Sequence, residues 1–350
     1  MSPRRHAPVV RTVAPACALL VSLVLAVLGT SGGPAQAVQP DGRVQDRSAP
    51  TCNGLEPTMP TGEIGQSLLG TAGDDVVITG GATRVDTGAG DDSICVTGKG
   101  TVVVNAGPGD DFVGARAHQG RGIVSLGFGN DRFFGGDGPD RVWSQESTNQ
   151  TSSSDQDLII TYDGDDYVIS GSSTALNSDT VILGAGNDVL VTYGFSASAT
   201  LAGGPGTNFL QPLPGPDVRG EWSFDNVLGE ALMDDVTRLS WSSFQRFNLT
   251  GLQGGRLRFR GSSASEVVRA GGTCQVVLRG RAGNDRLTVD DEGCNGLRAG
   301  DALLVGGSGN DRLQGSDGDD VLRGGGGSRD RGDGGAGDNH CDSIEFPTSC

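Results

Sequence analysis

The residues of this chain that could do chemistry are aspartates at a fixed place in a glycine-rich phrase. In Leu304–Gly325, LVGGSGNDRLQGSDGDDVLRGG, Asp311 and Asp320 occupy the same position in two consecutive nonapeptides. The phrase, glycine–x–glycine–x–aspartate with a branched or aromatic residue two places on, recurs as TAGDDVVIT (Asp75), TGAGDDSIC (Asp92), AGPGDDFVG (Asp111) and LGFGNDRFF (Asp131). It returns as GGDGPDRVW (Asp140), LGAGNDVLV (Asp188) and RGRAGNDRLTV (Asp285), with TYDGDDYVI (Asp166) a degenerate copy. Asn208 and Asn339 stand where two further copies would place the acid. A carboxylate on a turn, among glycines that leave backbone carbonyls open, is an all-oxygen donor set. Such sets suit hard cations, and a flexible one suits Ca²⁺ better than Mg²⁺. The residue at position eight, such as Ile94, Val113, Leu313 or Leu322, is expected to point inward and pack.

The spacing dictates what must hold these turns. Successive motif aspartates lie 17 residues apart at Asp75 and Asp92, then 19 to Asp111 and 20 to Asp131. Faded copies without the acid (GGATRVD, GKGTVVVN, GRGIVSL) fall midway. Apolar residues come in threes and fours, as in VVIT, SICV, LII and TVIL, bounded by glycine-rich turns, which is strand punctuation. The reading is an all-β parallel solenoid with coils of about 20 residues, each with two short strands and two turns. Such coils bury their faces only against neighbours and need capped ends. The chain divides accordingly into 1–37, a signal peptide; 38–68, an N-terminal cap segment; 69–210, repeat coils; 211–272, a motif-free insert or acid-free coils; and 273–350, C-terminal coils with a disulfide cap. Ser144–Asp157 is read as a polar loop hanging off one coil.

Composition narrows the function. Arg4, Arg5 and Arg11 precede the apolar run Ala16–Gly29, and Ala35-Gln36-Ala37 follows as a cleavage site. That is the layout of a secretory signal, so the mature chain is expected to be extracellular, with no membrane insertion. Removing the signal takes away three arginines and no acid, deepening a formal net charge of −17. A polyanion with one lysine, Lys99, is not a nucleic-acid binder, because phosphate neutralisation needs excess Lys and Arg. Six cysteines remain after the signal, and an even number in a secreted chain favours disulfides. Fifteen connectivities are open; pairing of sequence neighbours gives Cys52–Cys95, Cys274–Cys294 and Cys341–Cys350.

The wording GGSGNDRLQ resembles the nonapeptide of the RTX, or hemolysin-type, calcium-binding repeat proteins, discontinuously from Leu69 to about Asp342. The segments TCNGLEPT and CDSIEFPTSC look similar to secreted proteins of this type from actinobacteria. The resemblance implies a right-handed parallel β-roll with Ca²⁺ between consecutive coils. The side-chain ligands it implies are Asp75, Asp92, Asp111, Asp131, Asp140, Asp166, Asp188, Asp285, Asp311 and Asp320, with glycine carbonyls completing each site. The sequence departs from that pattern in its N-terminal signal and in the scarcity of strictly paired nonapeptides. A two-sided ladder is therefore expected only near the C-terminal end, and there Asp330 falls one residue out of register.

The expected function is a secreted calcium-binding repeat module, structural or interacting with a partner, ordered by its ions and largely disordered without them. The alternatives are a polysaccharide-active β-helix enzyme (lyase- or epimerase-like), and a glycan- or surface-adhesion module. Partners under these readings are calcium ions and an extracellular glycan or protein surface. Against an enzyme, His118 and His340 read as plain surface histidines, and no nucleophile, base and orienter converge. For adhesion, exposure of Trp222 and Trp241 decides.

Overall fold

The computed structural model describes residues 50–145, 155–214, 218–291 and 300–350. The signal segment 1–37, residues 38–49 of the cap, most of the polar loop and Cys294 lie outside the described residues. No helix among the described residues is long and apolar enough to cross a membrane.

The unit Ala49–Cys350 is a parallel β-solenoid. Each coil contributes one strand to a back face and one to a front face. On the back face the column runs through Val76–Ile78, Arg132–Phe134, Leu158–Ile160, Thr180–Ile182 and Thr200–Ala202. On the front face it runs through Arg84–Gly88, Arg141–Trp143, Tyr167–Ser170, Val189–Tyr193 and Phe209–Leu213, and ends at Phe346–Thr348. Two long strands, Ser93–Pro108 and Phe112–Phe128, turn the corner and serve both faces.

Strands form because β-branched and aromatic residues fit a half-buried pleat, and they end where glycines take left-handed dihedrals. Alternation then fixes which side chains meet. Ile94, Val113, Phe133, Ile159, Val181 and Leu190 are all fully buried in one stacked core. Leu313 and Leu322 are buried too, so the position-eight residues pack inward. Burial of each such side chain stabilises by about 1.5–3 kcal/mol.

One level departs from the parallel pattern. On the front face Phe209–Leu213 pairs directly with Arg246–Leu249. On the back face the same coil folds into an antiparallel meander, Arg219–Asp225, Glu230–Met233 and Val236–Ser242. Its outer strands join the parallel column above and below, through Leu201↔Trp241 and Trp222↔Leu257. The two-residue turn Asp234-Asp235 has φ of 50° and 61°, the dihedrals of a tight hairpin whose twist matches its strands. Trp222 and Trp241 are core: 0% and 5% exposed, they join a run of rings through Phe224, Phe247 and Phe259 with centroids 5.1–6.4 Å apart. Their exposure is the feature on which adhesion through this segment turns; both are buried, so the segment is core.

Disulfides join Cys52 to Cys95 and Cys341 to Cys350. Cys274 is also disulfide-bonded; its expected partner, Cys294, lies outside the described residues. Cys52–Cys95 ties the N-terminal segment to the second motif strand, where stacking begins.

Candidate metal centre: two carboxylate ladders

The motif aspartates form columns, one at each turn. At the turn before the back strands, the backbone N–H of Asp75 donates to Asp92 Oδ1 (2.7 Å), Asp92 to Asp111 (2.8 Å), Asp111 to Asp131 (2.8 Å), Asp131 to Asp157 (2.9 Å) and Asp157 to Asp179 (3.1 Å). At the turn before the front strands, Asp140 donates to Asp166 (2.8 Å), Asp166 to Asp188 (2.9 Å) and Asp188 to Asn208 (3.0 Å). That column passes Gln245 and resumes with Glu266 to Asp285 (2.8 Å), Asp285 to Asp311 (2.8 Å), Asp311 to Asp330 (2.7 Å) and Asp330 to Glu345 (2.7 Å). Asp320 stands apart on the back turn, bonded to Ala302 and Asn339. Between it and Asp179 the rung positions hold buried apolar residues such as Ala199, Leu257 and Val276.

Sequence reading placed ten of these acids but missed Asp157, Asp179, Glu266 and Glu345, and left Asp330 out of register. Asp157 and Asp179 lack the glycine turn; their signal is a carboxylate one residue before the short apolar runs LII and TVI. Glu266 lies in the stretch read as acid-free. With the missing rungs restored, Asp131 and Asp140, Asp157 and Asp166, and Asp179 and Asp188 are each nine residues apart, as are Asp311 and Asp320. The ladder is therefore two-sided in the middle of the solenoid as well, correcting the expectation that pairing is confined to the C-terminal end. The surface-loop reading of His118 is also corrected. It lies in the long strand Phe112–Phe128, 4% exposed, with Nε2 3.0 Å from the Gly100 carbonyl oxygen.

A second, exposed column runs beside the first. The N–H of Asp91 donates to Asp74 Oδ1 (2.9 Å), Asp110 to Asp91 (2.9 Å) and Asn130 to Asp110 (2.8 Å). The inner and outer bonds run in opposite directions, so each pair of coils is clamped reciprocally.

The inner ladder differs between its ends and its middle. End rungs have both carboxylate oxygens satisfied. Asp75 Oδ2 accepts from the Thr71 N–H (2.7 Å), Asp140 Oδ2 from Gly136 (3.2 Å) and Asp320 Oδ2 from Ser316 (2.6 Å), while Asp179 Oδ2 accepts from the Ser170 hydroxyl (2.7 Å). Most interior rungs do not. Oδ2 of Asp111, Asp131, Asp188, Asp285, Asp311 and Asp330 is buried and accepts no hydrogen bond, and the same holds for Asp92, Asp166 and Glu266 Oε2.

The cause is local. The donors Thr71, Gly136 and Ser316 lie four residues before their acids. At the corresponding position before Asp111, Asp131, Asp188, Asp285 and Asp311 the residue is left-handed: Gly107 (φ 109°), Gly127 (117°), Gly184 (93°), Arg281 (81°) and Gly307 (119°); Glu266 differs, its Oε1 accepting from the Ser262 N–H (2.9 Å). A left-handed residue there turns its N–H away from the carboxylate, so the motif glycine leaves an oxygen free.

Burial of these oxygens costs energy when they are charged. It pushes Asp111 up to about 8, with Asp131 and Asp92 adding repulsion. Burial likewise raises Asp131 to about 7, Asp166 to about 7 and Asp188 to about 6. Asp157 and Asp179, buried neighbours, are both raised. The ion pairs Arg258–Glu221, Arg260–Asp225 and Arg269–Asp290 involve no rung. Among the described residues no three His, Cys, Asp or Glu side chains converge on one point. A cation here would draw on carboxylates of successive rungs and on backbone carbonyls. The donor chemistry fits Ca²⁺: all oxygen, buried and short of positive charge.

A family model described as RTX calcium-binding nonapeptide repeat (4 copies) matches residues 123–148, 298–329 and 305–341. The chain thus carries RTX calcium-binding nonapeptide repeats, and the matched stretches contain Asp131, Asp140, Asp311, Asp320 and Asp330. No curated protein matches the chain.

Proposed function

We propose that this protein is an extracellular β-solenoid ordered by Ca²⁺ lodged along its inner carboxylate ladders, serving as a structural or interaction module and not as a catalyst. The observation that carries the reading is the run of buried carboxylate oxygens without partners at interior rungs. Asp92, Asp111, Asp131, Asp166, Asp188, Asp285 and Asp311 would supply side-chain oxygens, joined by Asp330. Asp75, Asp140 and Asp320, whose oxygens are already engaged, are weaker ligands. The signal segment and the disulfides support export, where calcium is plentiful and thiols oxidise.

Rungs one coil apart, about 4.8 Å by strand spacing, repel when ionised. An ion that binds only the folded chain stabilises it by RT ln(1 + [L]/Kd), about 2.7 kcal/mol per site at a hundredfold excess. Several sites then rival a domain's whole net stability of roughly 5–15 kcal/mol. Calorimetric calcium titration at neutral pH, followed by far-UV circular dichroism, tests this. Saturable binding at several sites with a gain of β signal is expected; identical spectra in EDTA and in calcium, with no heat of binding, would refute it.

A further inference from the structure

The residue after each front-turn rung points outward, because successive strand residues face opposite sides. Register places those residues in one column: Phe209 beside Arg246, then Val267, Arg286, Arg312, Arg331 and Phe346. No acid occurs in it. Arg286, Arg312 and Arg331 are consecutive, exposed, and in no ion pair among the described residues. Arg331 lies 5.8 Å from the centroid of the Phe346 ring. These side chains wall a surface groove of about 470 Å³, together with Thr288, Gln314 and Asp333, whose Oδ1 accepts from the Gly335 N–H (3.2 Å).

The arginines are not there to neutralise the acids behind them. Back-turn rungs are buried carboxylates of the same kind, yet the residues after them are Val76, Ser93, Phe112, Arg132, Leu158 and Thr180. An acid rung therefore does not require an outward arginine, and the column needs another account.

We propose that this groove binds a linear acidic polysaccharide, a polyuronate, laid along the solenoid axis. Three guanidinium forks repeat at one coil, about 4.8 Å, close to the rise of one sugar in an extended chain. Each fork matches a planar carboxylate with two parallel hydrogen bonds. Thr288 and Gln314 offer groups for sugar hydroxyls, and Phe346 a flat end wall. The chain's overall negative charge is screened beyond roughly 8 Å at physiological ionic strength, so the stripe acts locally. This partner assignment rests on the interaction-module reading above, since the stripe is strongest when the inner carboxylates are neutralised.

The test uses the full mature chain in calcium and galacturonate oligomers too short to gel. Isothermal titration should show saturable binding, with uncharged glucose oligomers silent. Binding should weaken roughly tenfold or more in the triple variant Arg286→Gln, Arg312→Gln, Arg331→Gln, as expected for loss of charge-assisted bonds, with an unchanged far-UV spectrum. Independently of any variant, the oligomer should shield Arg286, Arg312 and Arg331 of the native chain from phenylglyoxal. No binding, full binding by the triple variant with its fold intact, or no shielding overturns the proposal. Equal affinity for a DNA strand overturns the choice of polyuronate. A chain as fully folded without calcium at neutral pH as with it, yet holding the oligomer through these arginines, sinks the calcium reading and supports this one.

Discussion

The backbone N–H of Asp111 donates to Oδ1 of Asp131, 20 residues later, at 2.8 Å, while Oδ2 of both side chains is buried without a partner. One oxygen of each carboxylate thus stitches coils together, and the other is held ready for an ion or a proton. The two oxygens can be separated by substitution.

Asp111→Asn keeps an acceptor for the Asp92 N–H and removes the charge. Asn208 shows how an amide is accommodated, its Nδ2 donating to the carbonyls of Gly204 (3.0 Å) and Ser243 (3.1 Å). In EDTA at about pH 8 the variant should be more stable than the native chain by about 1–3 kcal/mol, the cost of a buried unsatisfied polar group. In calcium it should gain less from the ion. The far-UV β signal retained in EDTA and the denaturant midpoint in calcium measure the crossover; no difference from the native chain in either condition would show that the carboxylate charge is irrelevant.

The raised carboxylates give the metal-free solenoid a pH dependence of definite sign. Folded values of about 6 to 8 for Asp188, Asp166, Asp131 and Asp111 exceed the ordinary 3.8, so the folded state binds more protons than the unfolded one. Stability is fully present below about pH 4 and falls as pH rises through 6 to 8. In EDTA the melting temperature should drop across that window, and calcium should abolish most of the drop. A metal-free melting temperature that rises from pH 5 to 8 would contradict this.

Arg281 holds a turn position with φ 81° that its register partners Gly307 and Gly325 fill without strain. A side chain in the left-handed region costs roughly 1–2 kcal/mol. Arg281→Gly should therefore stabilise the calcium-loaded protein by about 1 kcal/mol, whereas Arg281→Lys should not. Thermal melts of the two variants separate backbone strain from charge.

The Cys52–Cys95 bridge closes 43 residues and Cys341–Cys350 closes 9. Both restrict the unfolded chain, and the longer loop restricts it more. Cys52→Ser with Cys95→Ser should cost about 2–4 kcal/mol, and the C-terminal pair less. Denaturant midpoints at fixed calcium would check the order.

How much of this was legible in the sequence is set by what repeats locally. The glycine–aspartate phrase with its apolar eighth residue determined the strands, the coil length, the stacking of equivalent turns and the placing of Asp92, Asp111, Asp131 and Asp311. Those follow from left-handed glycines and period-two burial, which act within nine residues. The tertiary structure decided the rest. Asp157, Asp179 and Glu266 become rungs because parallel pairing carries them into register, not because their neighbours spell a motif. The meander at Arg219–Ser242 reflects a hairpin turn at Asp234-Asp235 and a buried aromatic cluster, neither of which has the repeat's period. The division of carboxylates into satisfied ends and unsatisfied middles, and the arginine column opposite them, exist only once coils lie one strand spacing apart.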